Sequence, residues 1–394
     1  MYKFVPVAAS LLLVACSPTP GEAPPADTTA PAQQQAAPDA RIGTWGVDLT
    51  NRDTSIAPGD DFFRYANGSW LQSYELPADK SSYGSFMALH ELSQERVQAL
   101  IDELSDAQPA AGSVQQGASS VEQAAGSVEQ KIRDYYRSFL DTETLNARGL
   151  EPLQADLDAI ADIGNLEELA AVFADVDLTG NKAPVGLGIE IDRMDPSRWI
   201  PGVSVGGLGL PDRDYYLEDT ERFQQLRSAY VEHIETLLTL ADYPEPAQAA
   251  AAIMAVETAL AQIIWPRSER RNRDLTYNLT AVDDFIAAHP GFPWQIFLQI
   301  AGEIPAEMNV RYPSAMAPVL ALINETDLAT WRAYLSFHLL TGNAFALSAE
   351  IDEANFDFRG RTLSGQPEQR ERWRRAISLV AGQSGLGDAL GQLY

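Results

Sequence analysis

Few residues of this chain have the types and spacing that zinc-dependent hydrolysis requires. Such chemistry needs two neutral imidazoles on one helix face, as the spacing His-Glu-x-x-His provides, and a glutamate that polarises the metal-bound water. The chain has four histidines, and no two of them are four residues apart: His90, His233, His289 and His338. His90 and Glu91 begin the motif, but Gln94 stands where the second ligand is needed. We therefore predict no catalytic residue, no metal ligand and no cofactor in this chain.

The segment "GVSVG" matches the Gly-x-Ser-x-Gly pattern of serine hydrolases and makes Ser204 a candidate nucleophile. In those enzymes the serine lies at a strained turn that leads from a strand directly into a helix. Here the chain continues with "GLGLPDRDYY", in which two glycines and Pro211 are poorly suited to begin that helix. A serine hydrolase that uses Ser204 is therefore a weak alternative, because a β-hairpin explains the same residues.

The single cysteine, Cys16, ends an N-terminal apolar run that begins at Phe4. A run of this length is too short to span a membrane and is typical of the core of a signal peptide. The segment "LVAC" resembles the lipobox of bacterial lipoproteins, in which the cysteine becomes the lipidated first residue after cleavage. We predict a signal peptide over residues 1–15 and lipidation of Cys16. Because Ser17 follows, we expect a periplasm-facing membrane anchor in the cell envelope, in the outer membrane of a Gram-negative bacterium.

Composition indicates a globular protein behind a disordered tether. The 394 residues are 45% hydrophobic and 21% charged, which is ordinary for a folded chain with a sizeable core. A formal net charge of −27, without a run of Lys and Arg, argues against nucleic acid as a partner. Residues 16–43 are rich in Pro, Ala and Gln and predict the tether. Residues 44–394 are predicted to fold, with a flexible insertion over 107–130 where a short imperfect repeat occurs.

The folded region has mostly helical periodicity, with one interval of strand character. Apolar residues recur with the helical period over five segments: 150–176, 221–240, 247–265, 328–347 and 369–381. In "PVGLGIEIDR" the apolar residues alternate instead, "MDPSR" supplies a turn, and "WIPGVSV" can return as a partner strand. The predicted fold class is therefore mainly α-helical, a multi-helix lobe with a small antiparallel β-hairpin over residues 183–206.

Four separated stretches carry a family resemblance: "DLTNRDTSIAPGDDFFRYANGSWLQSYELPADKSSYGSF", "GLGLPDRDYYL", "RRNRDLTYN" and "GDALGQLY". Together, and in this order, they resemble the N-terminal part of the neprilysin-like zinc endopeptidases, which include bacterial oligopeptidases. The resemblance implies a helical lobe that covers a second, thermolysin-like lobe, around a cavity that admits only short peptides. It also implies that the zinc-binding lobe follows "ALGQLY", so zinc is expected only in a C-terminal domain that this chain lacks.

Two positions beside "YGSF" match places that line the substrate cavity in the family. Animal members usually have an arginine before this motif and often an acidic residue after it. This chain has Ser82 and Met87 at those places, and neither can make a charged contact with a peptide carboxylate. The family's disulfide cysteines are also absent, with Gly59 and Asn67 at two matching places. The resemblance thus makes Ser82 and Met87 substrate-cavity positions without a charged role.

The resemblance implies a substrate-enclosing lobe of a metalloendopeptidase, which is inactive alone and has short peptides as its partners. One alternative is a stand-alone lipoprotein that binds peptides or acts as a scaffold. Another is assembly with a separately encoded zinc lobe. The C-terminal "GLGDALGQLY" predicts a helix whose apolar side chains are incompletely covered, namely Leu386, Leu390, Leu393 and Tyr394.

Overall fold

The computed structural model describes five stretches of the chain: 48–106, 127–175, 182–302, 304–382 and 384–394. In these residues the architecture is mainly helical with one small sheet, which confirms the predicted fold class. Cys16, the predicted signal peptide, the tether and most of the predicted insertion lie outside the described residues. Within the described stretches, no helix is both long and apolar enough to cross a membrane.

Helices account for most of the described chain. The first are α1 Phe62–Ser73, α2 Ser85–Asp106, α3 Val128–Leu140, α4 Thr142–Arg148, α5 Gln154–Ala161, α6 Leu166–Ala174, α7 Asp214–Leu217 and α8 Glu221–Leu240. They are followed by α9 Pro246–Ile263, α10 Arg267–Arg270, α11 Val282–Ala288, α12 Trp294–Ala301, α13 Pro313–Glu325, α14 Leu328–Asn343, α15 Ala349–Phe356, α16 Arg372–Gly382 and α17 Gly387–Leu393. A π-helical segment, Asp357–Leu363, directly follows α15. Short 3-10 helices occupy Leu49–Asn51, Glu151–Leu153 and Ala344–Ala346.

The predicted helical segments correspond to helices, and one of them is divided. Segments 221–240, 247–265, 328–347 and 369–381 correspond to α8, α9, α14 and α16. Segment 150–176 instead contains α5 and α6, separated by the non-helical residues 162–165. The side chain of Asn165 accepts a hydrogen bond from the Glu168 amide at 2.9 Å, while the Glu168 carboxylate accepts one from the Gly164 amide at 2.7 Å. These caps start a new helix because they satisfy amides that a continuous helix would pair internally.

The predicted hairpin is present and belongs to a larger sheet. Strands β1 Val185–Ile191 and β2 Trp199–Val205 pair antiparallel, with Ile189 opposite Pro201. Two strands that the sequence analysis missed, β3 Leu279–Ala281 and β4 Glu307–Val310, extend it. Strand β4 pairs parallel to β2 and antiparallel to β3, giving the order β1-β2-β4-β3 and a mixed sheet. Residues this few carry too little alternation to be recognised as strands.

The main hydrophobic core surrounds α14. Residues 331 and 333–340 of this helix are all buried, so the helix has apolar neighbours on every side. A helix buried all round is typical of the centre of a large domain. Its neighbours include α5, α8 and α9. The largest fully buried side chains belong to the same core: Trp294, Trp331, Tyr230, Tyr334, Phe285, Phe297 and Phe337. The core therefore fixes α8, α9 and α14 relative to one another.

A second, smaller hydrophobic cluster joins the two ends of the described chain. It is formed by α2 and α3 from the N-terminal side and by α16 and α17 from the C-terminal side, with Ile101, Ile132, Ile377 and Val380 among its buried residues. The buried Gln94 side chain crosses the same contact and donates to the Arg374 carbonyl at 3.3 Å and to the Ser378 hydroxyl at 3.1 Å. We call this unit the terminal helix cluster.

The C-terminal helix is covered more completely than the sequence predicted. Leu390 is buried in the terminal helix cluster, so the expectation of incomplete cover is wrong for this residue. Leu386 and Leu393 are half-buried, and Tyr394 is 58% exposed. The difference arises because α17 folds back onto α16, which buries one side of the short helix.

The packing of the terminal helix cluster predicts how substitutions in α3 change the stability of the protein. Ile132→Ala should lower the free energy of unfolding by about 2–5 kcal/mol, because truncating a buried aliphatic side chain removes contacts and leaves a cavity. Val128→Ala, on the same helix but 41% exposed, is the matched control and should change stability by less than about 0.5 kcal/mol. Urea titrations followed by circular dichroism measure both values. Equal effects of the two substitutions would contradict the packing of α3 described above.

Candidate functional site

A glycine-rich loop between β2 and α7 is the centre of the candidate site. It comprises residues 206–212, "GGLGLPD", and is called the glycine loop below. Gly207 has φ +92°, a left-handed conformation that side chains disfavour, and its carbonyl accepts a hydrogen bond from the Tyr334 hydroxyl at 2.5 Å. A Cβ atom on Gly209 would lie 1.7 Å from the Tyr230 hydroxyl oxygen. The loop therefore packs against α8 and α14 more closely than other residues would permit.

Beneath the glycine loop lies one fully buried carboxylate, that of Glu257 on α9. It accepts hydrogen bonds from the Gly209 amide at 3.1 Å, the Tyr216 hydroxyl at 2.5 Å, the Tyr230 hydroxyl at 3.1 Å and His338 Nε2 at 2.8 Å. A buried carboxylate is tolerated only where such donors replace its water shell. Four elements therefore converge on this side chain: the loop, α7, α8 and α14.

The donors around Glu257 are held in their neutral, protonated forms. Burial raises the pKa of Tyr216 and of Tyr230, and the charge of Glu257 raises both further. Burial lowers the pKa of His338, and this effect exceeds the opposing hydrogen bond to Glu257. In the described part of the chain, His338 Nδ1 has no hydrogen-bond partner, so Nε2 is the nitrogen that donates. The cluster thus contains a single negative charge surrounded by neutral donors.

On the opposite side of the glycine loop there is a cavity of about 320 Å³. Cationic side chains reach it from three separate elements: Lys182 before β1, Arg270 in α10 and Arg359 in the π-helical segment. Lys182 Nζ donates to the Leu208 carbonyl at 3.1 Å, and Arg359 Nη1 donates to the Gly209 carbonyl at 2.8 Å. None of these cations was predicted as a site residue, although Arg270 begins the stretch "RRNRDLTYN", because they are distant from one another along the chain.

Asp212 closes one end of the glycine loop and is already paired. Its carboxylate lies 2.8 Å from Arg267 Nη2 and 2.6 Å from Arg270 Nη2. Burial alone would raise the pKa of Asp212, but hydrogen bonds from Arg267, Arg270 and the Arg213 amide lower it overall. Asp212 is therefore an ionised anchor for the loop and for α10.

The two substrate-cavity positions that the resemblance implied lie near the start of α2. Ser82 is exposed, and Met87 is half-buried in the first turn. Met87 Sδ lies 3.5 Å from Arg370 Nη2, and the neighbouring Phe86 is 90% exposed. Neither Ser82 nor Met87 lines the cavity at the glycine loop. Their role in substrate binding remains a prediction.

Among the described residues, the candidate zinc and serine motifs do not lie beside the other groups that either chemistry requires. His90 is exposed on α2, whereas Gln94 is buried and bonded to α16. His233 stacks on Phe358 with ring centroids 4.8 Å apart, and burial lowers the pKa of His233 to about 3. The described stretches hold no group of three or more His, Cys, Asp or Glu that could bind a metal ion.

Ser204 lies inside β2, directly opposite Gly186 of β1. A nucleophile elbow requires a turn from a strand straight into a helix, whereas here the glycine loop intervenes before α7. The hairpin interpretation of "GVSVG" is therefore confirmed, and the geometry gives no support to a serine hydrolase.

Sequence reasoning missed Glu257, although the sequence contains a signal for it. Helix α9 reads "PAQAAAAIMAVETALAQI", and Glu257 is its one charged residue. An isolated acid on an otherwise apolar helix indicates a buried and partnered carboxylate. The four donors could not have been inferred, because they are brought together only by the tertiary fold.

Comparison with known proteins agrees with this architecture. Residues 58–394 match the family model described as Peptidase family M13. The chain is 27% identical over 363 residues to endothelin-converting enzyme-like 1 of Homo sapiens, which covers 87% of this chain and 44% of that protein. It is 25% identical over 373 residues to endothelin-converting enzyme 1 of Rattus norvegicus, with 90% and 46% covered. The chain thus spans about half the length of these curated relatives.

Solved structures show the same fold. The crystal structure of Mycobacterium tuberculosis zinc metalloprotease Zmp1 in complex with an inhibitor matches with a TM-score of 0.79 and 31% identity, over 88% of this chain and 51% of that one. PepO from Lactobacillus rhamnosis HN001 matches with a TM-score of 0.67 over 86% of this chain and 51% of that one, and its 19% identity shows the fold alone. Since the family model covers most of this chain, the chain belongs to Peptidase family M13, which confirms the resemblance to the neprilysin-like zinc endopeptidases.

Proposed function

We propose that this chain forms the N-terminal, substrate-enclosing lobe of an M13 zinc metallopeptidase that acts on short peptides. The observation that carries the proposal is the match of residues 58–394 to the family, together with a TM-score of 0.79 to a zinc metalloprotease of which the chain covers 51%. The catalytic zinc would be bound by a C-terminal domain, as the resemblance implies. The contribution of this chain would be enclosure and size selection.

The packing of the described residues suits that role. Helix α14 and its neighbours form a densely filled core, and such cores have low compressibility, so the lobe can act as a rigid wall. The first turns of α1 and α2 also expose large apolar side chains, with Phe62 at 69% and Phe63 at 64% in α1 and Phe86 at 90% in α2. Exposed aromatic side chains are typical of surfaces that another part of an assembly covers. This supports a lobe that works against a second lobe.

The peptidase proposal predicts a metal-dependent activity that the 394-residue chain does not have alone. Short fluorogenic peptides should be hydrolysed by the longer product encoded when the reading frame continues past Tyr394, and chelation should abolish that hydrolysis. The 394-residue chain should show no hydrolysis and no stoichiometric zinc by metal analysis, because its histidines are too sparse for a tetrahedral site.

Two results would contradict this prediction. One tightly held zinc per 394-residue chain would place the metal site within it. Chelator-insensitive cleavage by the 394-residue chain, lost in Ser204→Ala and kept in the hairpin-turn control Ser197→Ala, would revive a serine hydrolase.

An absence of any downstream coding frame would instead favour the stand-alone binding lipoprotein, or assembly with a zinc lobe encoded elsewhere.

We also propose that Cys16 anchors the lobe to the membrane, facing the periplasm. The support is the sequence alone, in which "LVAC" ends a short apolar run. Several acyl chains on one cysteine would hold the protein stably, since two chains suffice where one does not.

The anchor makes a separate prediction. Mass spectrometry of the mature protein should find Cys16 as an acylated N-terminal residue, and Cys16→Ser should shift the protein from the membrane fraction to the soluble fraction. Ser17→Ala leaves the cysteine in place and serves as the control that should remain in the membrane fraction. A mature N-terminus that is unmodified and begins at another residue would disprove the anchor.

A further inference from the structure

The cavity beside the glycine loop carries a local excess of positive charge. Lys182, Arg270 and Arg359 line it, and Asp212 is the one acidic side chain in its lining. Asp212 is shared between Arg270 and Arg267, so its charge is already engaged. This excess occurs in a chain whose formal net charge is −27. A site of opposite sign to the rest of the molecule points to an anionic ligand.

Lys182 and Arg359 each have more N–H donors than the hydrogen bonds they form to the glycine loop. A lysine ammonium offers three N–H donors and an arginine guanidinium five. Lys182 uses one on the Leu208 carbonyl, and Arg359 uses one on the Gly209 carbonyl. Neither side chain forms an ion pair with any residue of the described stretches. Both cations are therefore placed by neutral carbonyl groups, with their charges available to a ligand.

The placement of these cations follows from the geometry of two consecutive peptide units. In a trans peptide the C=O and N–H groups point in opposite directions. The unit between Leu208 and Gly209 directs its N–H to Glu257 and its C=O to Lys182. The next unit, between Gly209 and Leu210, directs its N–H to the Tyr216 hydroxyl and its C=O to Arg359. The buried network on one side of the loop thus fixes the cations on the other side.

Arg359 is held from its own side as well. It lies in the π-helical segment, and a Cβ atom on the adjacent Gly360 would lie 2.1 Å from Cε2 of Phe356. The neighbouring Phe358 is buried in the main core. The backbone of Arg359 therefore has little freedom, and a cation fixed before binding loses little entropy when a ligand arrives. Single-turn π-helical segments occur frequently at functional sites.

The volume of the cavity and its other lining residues indicate the size and chemistry of the anion. The cavity of about 320 Å³ is at the small end of the range for ligand sites. One part of its wall is contributed by residues that have apolar side chains, namely Val205, Leu208, Leu210, Pro211 and Ile264. We propose that this cavity binds a small organic acid, with its carboxylate between Lys182 and Arg359 and a short apolar body against this wall. The proposal does not depend on the peptidase function.

The electrostatics of Lys182 agree with this assignment. Lys182 is an exposed residue, but partial desolvation beside the cavity lowers its pKa, the charge of Arg359 lowers it further, and the charge of Glu257 opposes both. A carboxylate between the two cations would relieve their mutual repulsion. The charged and titratable groups facing Lys182 thus come from the π-helical segment, from α9 and, through His338, from α14. Binding of an anion would favour the protonated amine.

The test is isothermal titration calorimetry of the purified 394-residue chain at about 0.1 M salt, where the distant acidic surface is largely screened. N-acetyl-leucine is the probe, and N-acetyl-leucine amide, which lacks the charge, is its matched control. We expect saturable one-site binding of the acid and none of the amide. Lys182→Gln should weaken binding about tenfold or more, because it removes a charged hydrogen-bond donor. Arg222→Gln, which removes an exposed cation from α8 outside the cavity, should leave the affinity unchanged.

A second variant separates loss of charge from loss of structure. Lys182→Arg keeps the cation and should bind the acid within a few fold of the wild type, and circular dichroism verifies that each variant is folded. Equal affinity of Lys182→Gln and wild type, binding of the amide as tightly as the acid, or no saturable binding would each overturn the proposal. Inorganic phosphate binding more tightly than N-acetyl-leucine would also overturn it, because the apolar wall would then have no role.

The source of the carboxylate is distinguished by one more probe, N-acetyl-Ala-Ala-Leu. If this tripeptide binds at least as tightly as N-acetyl-leucine, the site accepts the C-terminus of a peptide. If the tripeptide is excluded while N-acetyl-leucine binds, the site accepts a free small acid. Either result supports the carboxylate site, and neither requires hydrolysis, so a failure of the peptidase proposal would leave this test interpretable.

Discussion

The buried carboxylate of Glu257 is the constraint on which the site depends. Removing an ion from water costs several kcal/mol even after the protein relaxes. Each hydrogen bond to a charged group returns about 1.5–3 kcal/mol, so the four donors to Glu257 are needed together. Those donors come from the glycine loop, α7, α8 and α14. Their relative positions are therefore determined by one side chain, more strictly than apolar packing alone would determine them.

The same carboxylate explains the glycines. For the Gly209 amide to reach Glu257, the loop must approach the Tyr230 hydroxyl closely enough to leave no space for a side chain. Gly207 must adopt a positive φ so that its carbonyl can meet the Tyr334 hydroxyl. The motif "GLGLPD" is thus a structural consequence of the polar network under it. The Leu208 and Gly209 carbonyl groups then orient Lys182 and Arg359, which links the interior of the lobe to the chemistry of the cavity.

Local sequence patterns predicted the hairpin and the long helices. Features that depend on tertiary contacts could not be predicted from such patterns. The hairpin was predictable because alternation over β1 and β2 is strong, and the helices because their apolar periodicity is long. Strands β3 and β4 were missed because they are too short to show a pattern. The burial of Leu390 depended on α17 folding back onto α16. The cavity also depends on tertiary contacts, because Lys182, Arg270 and Arg359 are distant from one another in sequence.

Composition alone would have argued against a cationic site, since the chain has 28 basic and 55 acidic residues. The two observations are compatible because electrostatic effects depend on distance. At about 0.1 M salt, charges more than roughly 10 Å apart across solvent are largely screened. A ligand inside the cavity would contact Lys182 and Arg359 directly, whereas most of the acidic surface would act on it only through screened solvent. The net charge therefore governs solubility and long-range repulsion, while the sign at the site is set by the side chains that the glycine loop fixes there.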